Sequence, residues 1–199
     1  MDSIRRRNLF IFLTLSLTYF YSQHFNDSVK KLEELLPPTP NVRLDWSPLE
    51  KIPVPYEGRI VPIITFANDT LFFLSGKAKY LNESSTGLIF KMVLLGPSYA
   101  KKIEIINITN YKFKKELNLP AQKNYYSLED LQDKIASIIN TGLNIEQKKQ
   151  QKANLTPIEN QFYILYQKLT LLQQIVSGDF YLVYNKQKNI WHKMNELET

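Results

Sequence analysis

The sequence predicts a mainly α-helical domain with a few short strands, an α+β fold class, behind an N-terminal signal or anchor segment. The chain has 199 residues, 44% of them hydrophobic, which is enough to form the core of one compact domain. Apolar residues recur at three- and four-residue intervals in several segments, which indicates amphipathic helices. Short runs of β-branched and aromatic residues interrupt them and indicate strands. We therefore expect one compact helical domain over residues 46–199.

The first 27 residues have the layout of an export signal. Arg5, Arg6 and Arg7 precede an apolar stretch from Leu9 to Tyr21. The bulky run 19–21 stands where small residues would prepare a cleavage site, so a cleaved signal peptide and an uncleaved signal anchor both stay open. By the positive-inside rule, either one leaves the arginines in the cytoplasm and the body of the protein on the outer side of the membrane. The alternative is a basic amphipathic first helix of a cytosolic domain.

The sequence of residues 28–45 is typical of a stalk. A short helix is stopped by Pro37 and Pro38, because proline lacks the amide hydrogen that a helix needs, and a proline-rich linker follows. Prolines recur at positions 40, 48, 53, 55 and 62. This spacing favours an extended or polyproline-like chain wrapped on a surface over a central strand.

The middle of the domain reads as three helices and one strand. A helix of about four turns begins at Pro62 and ends at Gly76, since proline suits a first turn and glycine a stop. We predict a second helix over Ser85–Leu95, a strand over Lys102–Ile108 and a short helix over Asn110–Leu117.

Two further helices are predicted in the C-terminal part. One begins at Ser127, in a sequence resembling a capping box, and breaks at Gly142. The other has Thr156 as N-cap and Gly178 as stop. It contains a heptad seam of six apolar residues spaced four, three, four, three and four apart: Ile158, Phe162, Leu165, Leu169, Leu172 and Val176. The seam favours an intramolecular helical hairpin, with a coiled coil to a partner as the alternative. An edge strand and turn over Phe180–Trp191 complete the chain.

The residues that could perform chemistry are few. The chain has no cysteine, which excludes disulfides and thiol catalysis, and the metalloprotease, phosphate-loop and serine-hydrolase motifs are missing from the sequence. The net charge of +6 comes from scattered lysines, so we expect no nucleic-acid partner. We predict no enzyme activity, no cofactor and no metal site. His192 is a candidate haem ligand, against the alternative that it is a surface or packing residue.

The stretch Glu57-Gly58-Arg59 could have a structural role or a binding role. Gly58 lets the backbone turn sharply, and the Arg59 guanidinium is predicted to donate to carbonyl groups left open by the proline-rich chain. Under this interpretation the three residues are a structural clasp. The alternative is that Arg59, with Gly58, Pro62 and Thr65 around it, contacts an anion.

Four stretches in a fixed order resemble a known family. They are "PVPYEGRIVPIITFANDTLFFLSGKAKY", "FKMVLLGPSYAKKIEIINI", "KKELNLPAQKNYYSLEDL" and "FYLVYNKQKNIWHKM". Together they resemble the extracytoplasmic domain of cytochrome c assembly proteins of the CcsA/ResC class, in the form fused to ResB. The similarity covers about residues 46–193. The matching residues are Gly58, Arg59, Pro62, Thr65, Ala67, Ser75, Gly76, Lys77, Pro97, Leu119, Tyr126, Ser127 and Trp191.

The resemblance implies a noncatalytic, membrane-tethered accessory or scaffold domain of cytochrome c biogenesis, whose partners are multi-span membrane proteins of haem delivery and attachment. Val61 stands where the family has lysine, and Ile64 where it has an acidic residue or asparagine. The family's tryptophan-rich haem-handling segment has no counterpart in this sequence, so we expect no haem attachment by this chain itself. The alternative function is an interaction subunit of another bacterial envelope complex, which uses the heptad seam to bind a partner helix.

Overall fold

The computed structural model describes residues 44–80, 83–185 and 190–193. The helices in these ranges are α1 (Ile63–Ser75), α2 (Ser85–Lys102), α3 (Tyr111–Glu116), α4 (Ile135–Gln150) and α5 (Pro157–Val176), after a 3₁₀ turn at Ser47–Leu49. The strands are β1 (Pro53–Tyr56), β2 (Arg59–Pro62), β3 (Ile106–Asn107), β4 (Tyr125–Tyr126), β5 (Tyr181–Asn185) and β6 (Ile190–Lys193). The fold is mainly α with short strands, as predicted.

The described residues from Asp45 onward form one compact unit. The predicted signal or anchor segment (1–27) lies outside the described residues, and so does the predicted stalk (28–45) apart from its last two residues. None of the helices described above has both the length and the apolar composition needed to cross a bilayer.

The proline-rich segment is extended and contains no central strand, as predicted, but it pairs with itself as a β-hairpin, which we did not predict. Strands β1 and β2 pair antiparallel, with Val54 opposite Val61, and both of these side chains are buried. A two-stranded sheet has only edge strands, so a proline that lacks an amide hydrogen is tolerated there. The valines place one face of the hairpin in a small core with Ile63 and Phe90.

Helix α1 agrees with the prediction at both ends. Pro62 precedes its first residue, and Gly76 follows it in the left-handed conformation with φ 70°. The Gly76 amide donates to the Phe72 carbonyl at 2.7 Å, which closes the last turn. Its buried residues Ala67, Leu71 and Leu74 pack in the main hydrophobic core, whereas Ile63 at its start packs in the small one.

The first segment of helix α2 begins at Ser85 and ends before Gly96, as predicted for Ser85–Leu95, but a second helical segment that we did not predict follows it. The backbone leaves the helical conformation at Gly96, with φ 65° and ψ −158°, where we predicted the end. Pro97 then starts a second helical segment, since a first-turn residue needs no amide donor, and the helix continues to Lys102. The strand predicted over Lys102–Ile108 is therefore reduced to β3, which pairs with β4.

The start predicted for α4 was wrong. The Ser127 amide and hydroxyl do donate to the Asp130 carboxylate, at 2.7 and 2.9 Å. These bonds close a turn, and the helix begins eight residues later, at Ile135. The predicted break at Gly142 was wrong as well, because the helix passes through that residue.

Helices α4 and α5 form an antiparallel hairpin, in agreement with the interpretation that we favoured for the seam. Helix α5 has a full capping box, in which Thr156 and Glu159 bond each other's backbone amides. Lys148 on α4 pairs with Glu159 at 2.5 Å. This ion pair and the bonds from Thr156 lower the pKa of Glu159 to about 2.

The two helices of this hairpin approach closely at Gly142. A methyl group at Gly142 would lie 2.2 Å from Cγ and 2.4 Å from Cβ of Tyr166. The absence of a side chain at Gly142 thus sets how near α5 can come to α4.

The C-terminal stretch is a hairpin of β5 and β6, where we predicted one edge strand and a turn. It lies beside the β1–β2 hairpin, and Phe180 stacks on Phe66 of α1 with ring centroids 5.8 Å apart. The described strands thus form three separate two-stranded sheets around the helices.

Candidate docking groove and buried lysine cavity

The predicted turn residues lie at the tip of the β1–β2 hairpin. Glu57 and Gly58 have φ values of 50° and 75°, the positive values that a tight two-residue hairpin turn requires. The Arg59 guanidinium lies 3.9 Å from the Glu57 carboxylate, and both side chains are 66% exposed. The turn that we predicted at Gly58 is present. The described residues show no hydrogen bond from Arg59 to a backbone carbonyl, so the predicted clasp by the guanidinium is not observed.

Replacing Arg59 with alanine should change the free energy of unfolding by less than about 0.5 kcal/mol, because an exposed ion pair contributes little. Replacing Gly58 with alanine should cost about 1 kcal/mol, because the turn holds this residue at positive φ. Urea denaturation of both variants measures the two values. If Arg59→Ala lost more than 1 kcal/mol of unfolding free energy, the hypothesis that Arg59 is a structural clasp would be supported again.

The residues after this turn lead into an open groove along α1. Pro62 is exposed just before the helix, and Thr65 is partly buried in its first turn. One wall of the groove is the face of α1 formed by Ile64, Asn68 and Phe72, spaced four residues apart. The groove has a volume of about 560 Å³.

The opposite wall comes from three other parts of the chain. It is formed by Glu50 after the 3₁₀ turn, Lys79 beyond α1, and Ser84 and Ser85 at the start of α2. The Ser85 hydroxyl donates to the Asn68 side-chain oxygen at 2.5 Å, which joins the two walls. The groove therefore combines the apolar side chains of Ile64 and Phe72 with hydrogen-bonding groups, among them Asn68 and Ser85.

Two aromatic residues at the end of α1 are exposed. Phe72, which lines the groove, is 63% exposed, and its neighbour Phe73 is 37% exposed. An exposed aromatic residue beside a groove is a common feature of protein-binding sites, where it serves as an anchor. The groove can therefore accept an apolar segment of another protein.

The heptad seam is directed into the domain core. Leu165, Leu169 and Leu172 are buried, and the other three seam residues are partly buried against the same core. They pack where α5 meets the other helices, α2 and α4 in particular. The alternative function requires the seam to bind a partner helix. In this fold the seam is not available for such binding.

His192 lies in β6 opposite Val183 of β5, and it is partly buried. In the described ranges, no group of three or more His, Asp or Glu side chains is placed to hold a metal ion. The structure brings His192 to a strand at the edge of the domain, and the groove is lined by other residues.

A second cavity, of about 160 Å³, lies between α5 and the β3–α3 segment. Its lining includes Lys168, which is only 8% exposed. The Lys168 Nζ donates to the carbonyls of Leu74 at 3.0 Å and Asn107 at 2.9 Å, which joins α1 to β3. Burial lowers the pKa of Lys168 from 10.5 to about 8, because it takes the charged form out of water.

Lys168 was not among the predicted site residues, although the sequence contains a signal for it. Leu165, Lys168, Leu169 and Leu172 follow the spacing of one helix face, so the lysine lies within an apolar stripe. Lysine is almost never fully buried without a partner, and this position should have been recognised as exceptional.

No protein-family model matches this chain, and no curated protein matches it significantly.

Proposed function

We propose that this chain is a noncatalytic docking and scaffold module of the cytochrome c assembly machinery, held on the periplasmic side of the inner membrane by its N-terminal segment. Its partners are multi-span membrane proteins that deliver or attach haem. The observation that carries the proposal is the open groove along α1, because eight of the thirteen residues on which the resemblance rests lie in the hairpin before this helix, in the helix itself and in the two residues after it.

Several of these residues have a structural role that depends on their residue type. Gly58 and Gly76 both adopt positive φ, which glycine tolerates best. The Ser75 hydroxyl donates to the Leu71 carbonyl at 2.8 Å and accepts from the Lys77 amide at 3.1 Å, which fixes the chain after α1. Ser75 and Lys77, two of the matching residues, are thus connected by a hydrogen bond next to Gly76, a third. This supports the resemblance of the segment around the end of α1 to the family.

The groove supports docking to another protein in two ways. Its volume of about 560 Å³ leaves room for side chains of a partner protein. Phe72 presents most of its ring to solvent in the isolated chain, so a partner that covers it gains apolar burial.

Exchange of Phe72 for serine should reduce capture of the membrane partners by at least about tenfold, which corresponds to ~1.4 kcal/mol of binding free energy. The measurement is a pull-down of the tagged full-length chain from detergent-solubilised membranes of the source cells, with partners identified by mass spectrometry. Leu94→Ser is the matched control, because Leu94 is 64% exposed and lies outside the groove lining.

The expected partners are multi-span cytochrome c assembly proteins, retained by the wild type and by Leu94→Ser. Capture of a different set of envelope proteins, lost in Phe72→Ser, would favour the alternative of an interaction subunit of another complex. That subunit would then use the groove, since the seam is buried. Equal capture by Phe72→Ser and wild type would rule out the groove as the docking surface.

A further inference from the structure

Lys168 carries a buried charge for which the described part of the chain supplies no carboxylate. Its two hydrogen-bond partners, the carbonyls of Leu74 and Asn107, are neutral dipoles. No acidic side chain in the described ranges forms a salt bridge with it. Buried charges in proteins are normally paired with an opposite charge, because an unpaired one is costly.

The ammonium group also has hydrogen-bonding capacity left over. A lysine has three donors, and two of them are used by the backbone carbonyls of the described chain. Lys114 offers a comparison, since it is 3% exposed and its Nζ donates to the Ala121 carbonyl at 3.1 Å and the Asn124 side-chain oxygen at 2.6 Å. Lys114 does not line the cavity, whereas Lys168 does.

The cavity is lined by four polar and four apolar residues. The side chains of Lys168, Gln161, Asn107 and Thr109 can all donate hydrogen bonds. The remaining lining residues are apolar: Ile108, Phe113, Ile164 and Leu165. The cavity volume of about 160 Å³ equals that of roughly five water molecules. A ligand that fits is small, with an anionic end and a short apolar end.

We propose that this cavity is a binding site for a short-chain aliphatic carboxylate, of the size of acetate to butyrate, whose oxygens pair with Lys168. The planar carboxylate accepts one hydrogen bond from the ammonium and others from the neighbouring amide or hydroxyl groups. Its alkyl chain packs on the isoleucine, leucine and phenylalanine side chains. A phosphate would bring two or more charges to a site with a single lysine and no arginine in its lining, so it fits less well.

The test is isothermal titration calorimetry of the full-length protein with sodium propionate, in chloride-free buffer at constant ionic strength. Wild type and the control Lys114→Met should bind one equivalent with the same affinity. Lys168→Met should bind at least tenfold more weakly. Ile164→Phe keeps the ammonium but fills the cavity, and it should also lose binding.

Propionamide, which is nearly the same size and uncharged, should give no saturable heat with wild type. Circular dichroism checks that each variant is folded. The proposal is overturned if wild type shows no saturable propionate binding, if Lys168→Met and wild type bind equally, or if propionamide binds as well as propionate. Should Lys168→Met fail to fold, Ile164→Phe and propionamide still decide between these outcomes.

Discussion

Replacing Leu172 with alanine should lower the free energy of unfolding by about 3 kcal/mol, the typical cost of emptying a buried leucine site. Leu172 is completely buried, on the face of α5 that packs in the main core. Urea denaturation followed by circular dichroism measures the change. Leu143→Ala is the control, because Leu143 is 44% exposed on α4 and its truncation should cost less than about 0.5 kcal/mol.

The same experiment separates the two interpretations of the heptad seam. If the seam packs inside one chain, Leu172→Ala is destabilising at every protein concentration. If the seam instead joined two chains, the loss would depend on concentration, and dimers seen by analytical ultracentrifugation would dissociate in the variant. That second result would contradict the helical hairpin described above.

Raising the pH from 7 to 9.5 should stabilise wild type relative to Lys168→Met by about 2 kcal/mol. The pKa of Lys168 is lowered from 10.5 to about 8 in the folded protein, by burial alone. Below pH 8 both the folded and the unfolded chain carry the proton, so the cost of the buried charge is fully present. Between pH 8 and 10.5 the folded chain loses its proton first, and the cost is relieved.

The quantity to measure is the difference in unfolding free energy between wild type and Lys168→Met at each pH. Groups that titrate in both proteins cancel in this difference. The tyrosines, among which Tyr126 has its pKa raised by burial, are the same in both proteins, so the effect of their ionisation cancels as well. A difference that stays constant, or one that moves in favour of Lys168→Met, would show that Lys168 does not titrate in this range.

The helix ends that the sequence predicted well are marked by residues at or next to those ends. Helix α1 is bounded by Pro62 and Gly76, and α5 begins at the capping box of Thr156 and Glu159. Such signals depend on local backbone chemistry, which a single sequence displays. The start of α4 was missed because Ser127 makes its capping contacts in a turn, and only the packing of α4 on α5 shows where the helix begins.

The candidate site was less predictable than the fold. A glycine at position 58 predicts a turn by itself, but the exposure of Arg59 depends on where the hairpin tip lies in the folded chain. The groove joins Glu50 to Phe72 and Ser85, residues far apart in the sequence. The cavity likewise joins Lys168 to Asn107, whose carbonyl accepts from the lysine across 61 positions of sequence. No local pattern encodes such long-range contacts.

The narrow gap between Gly142 and Tyr166 has a consequence for how this sequence can vary. The two positions share one volume, since a single added methyl group at residue 142 would overlap the base of the tyrosine ring. Enlargement at 142 is tolerated only when residue 166 becomes smaller in the same molecule. Related chains are therefore expected to exchange these two residues together, and an alanine at 142 beside an intact tyrosine should be rare among them.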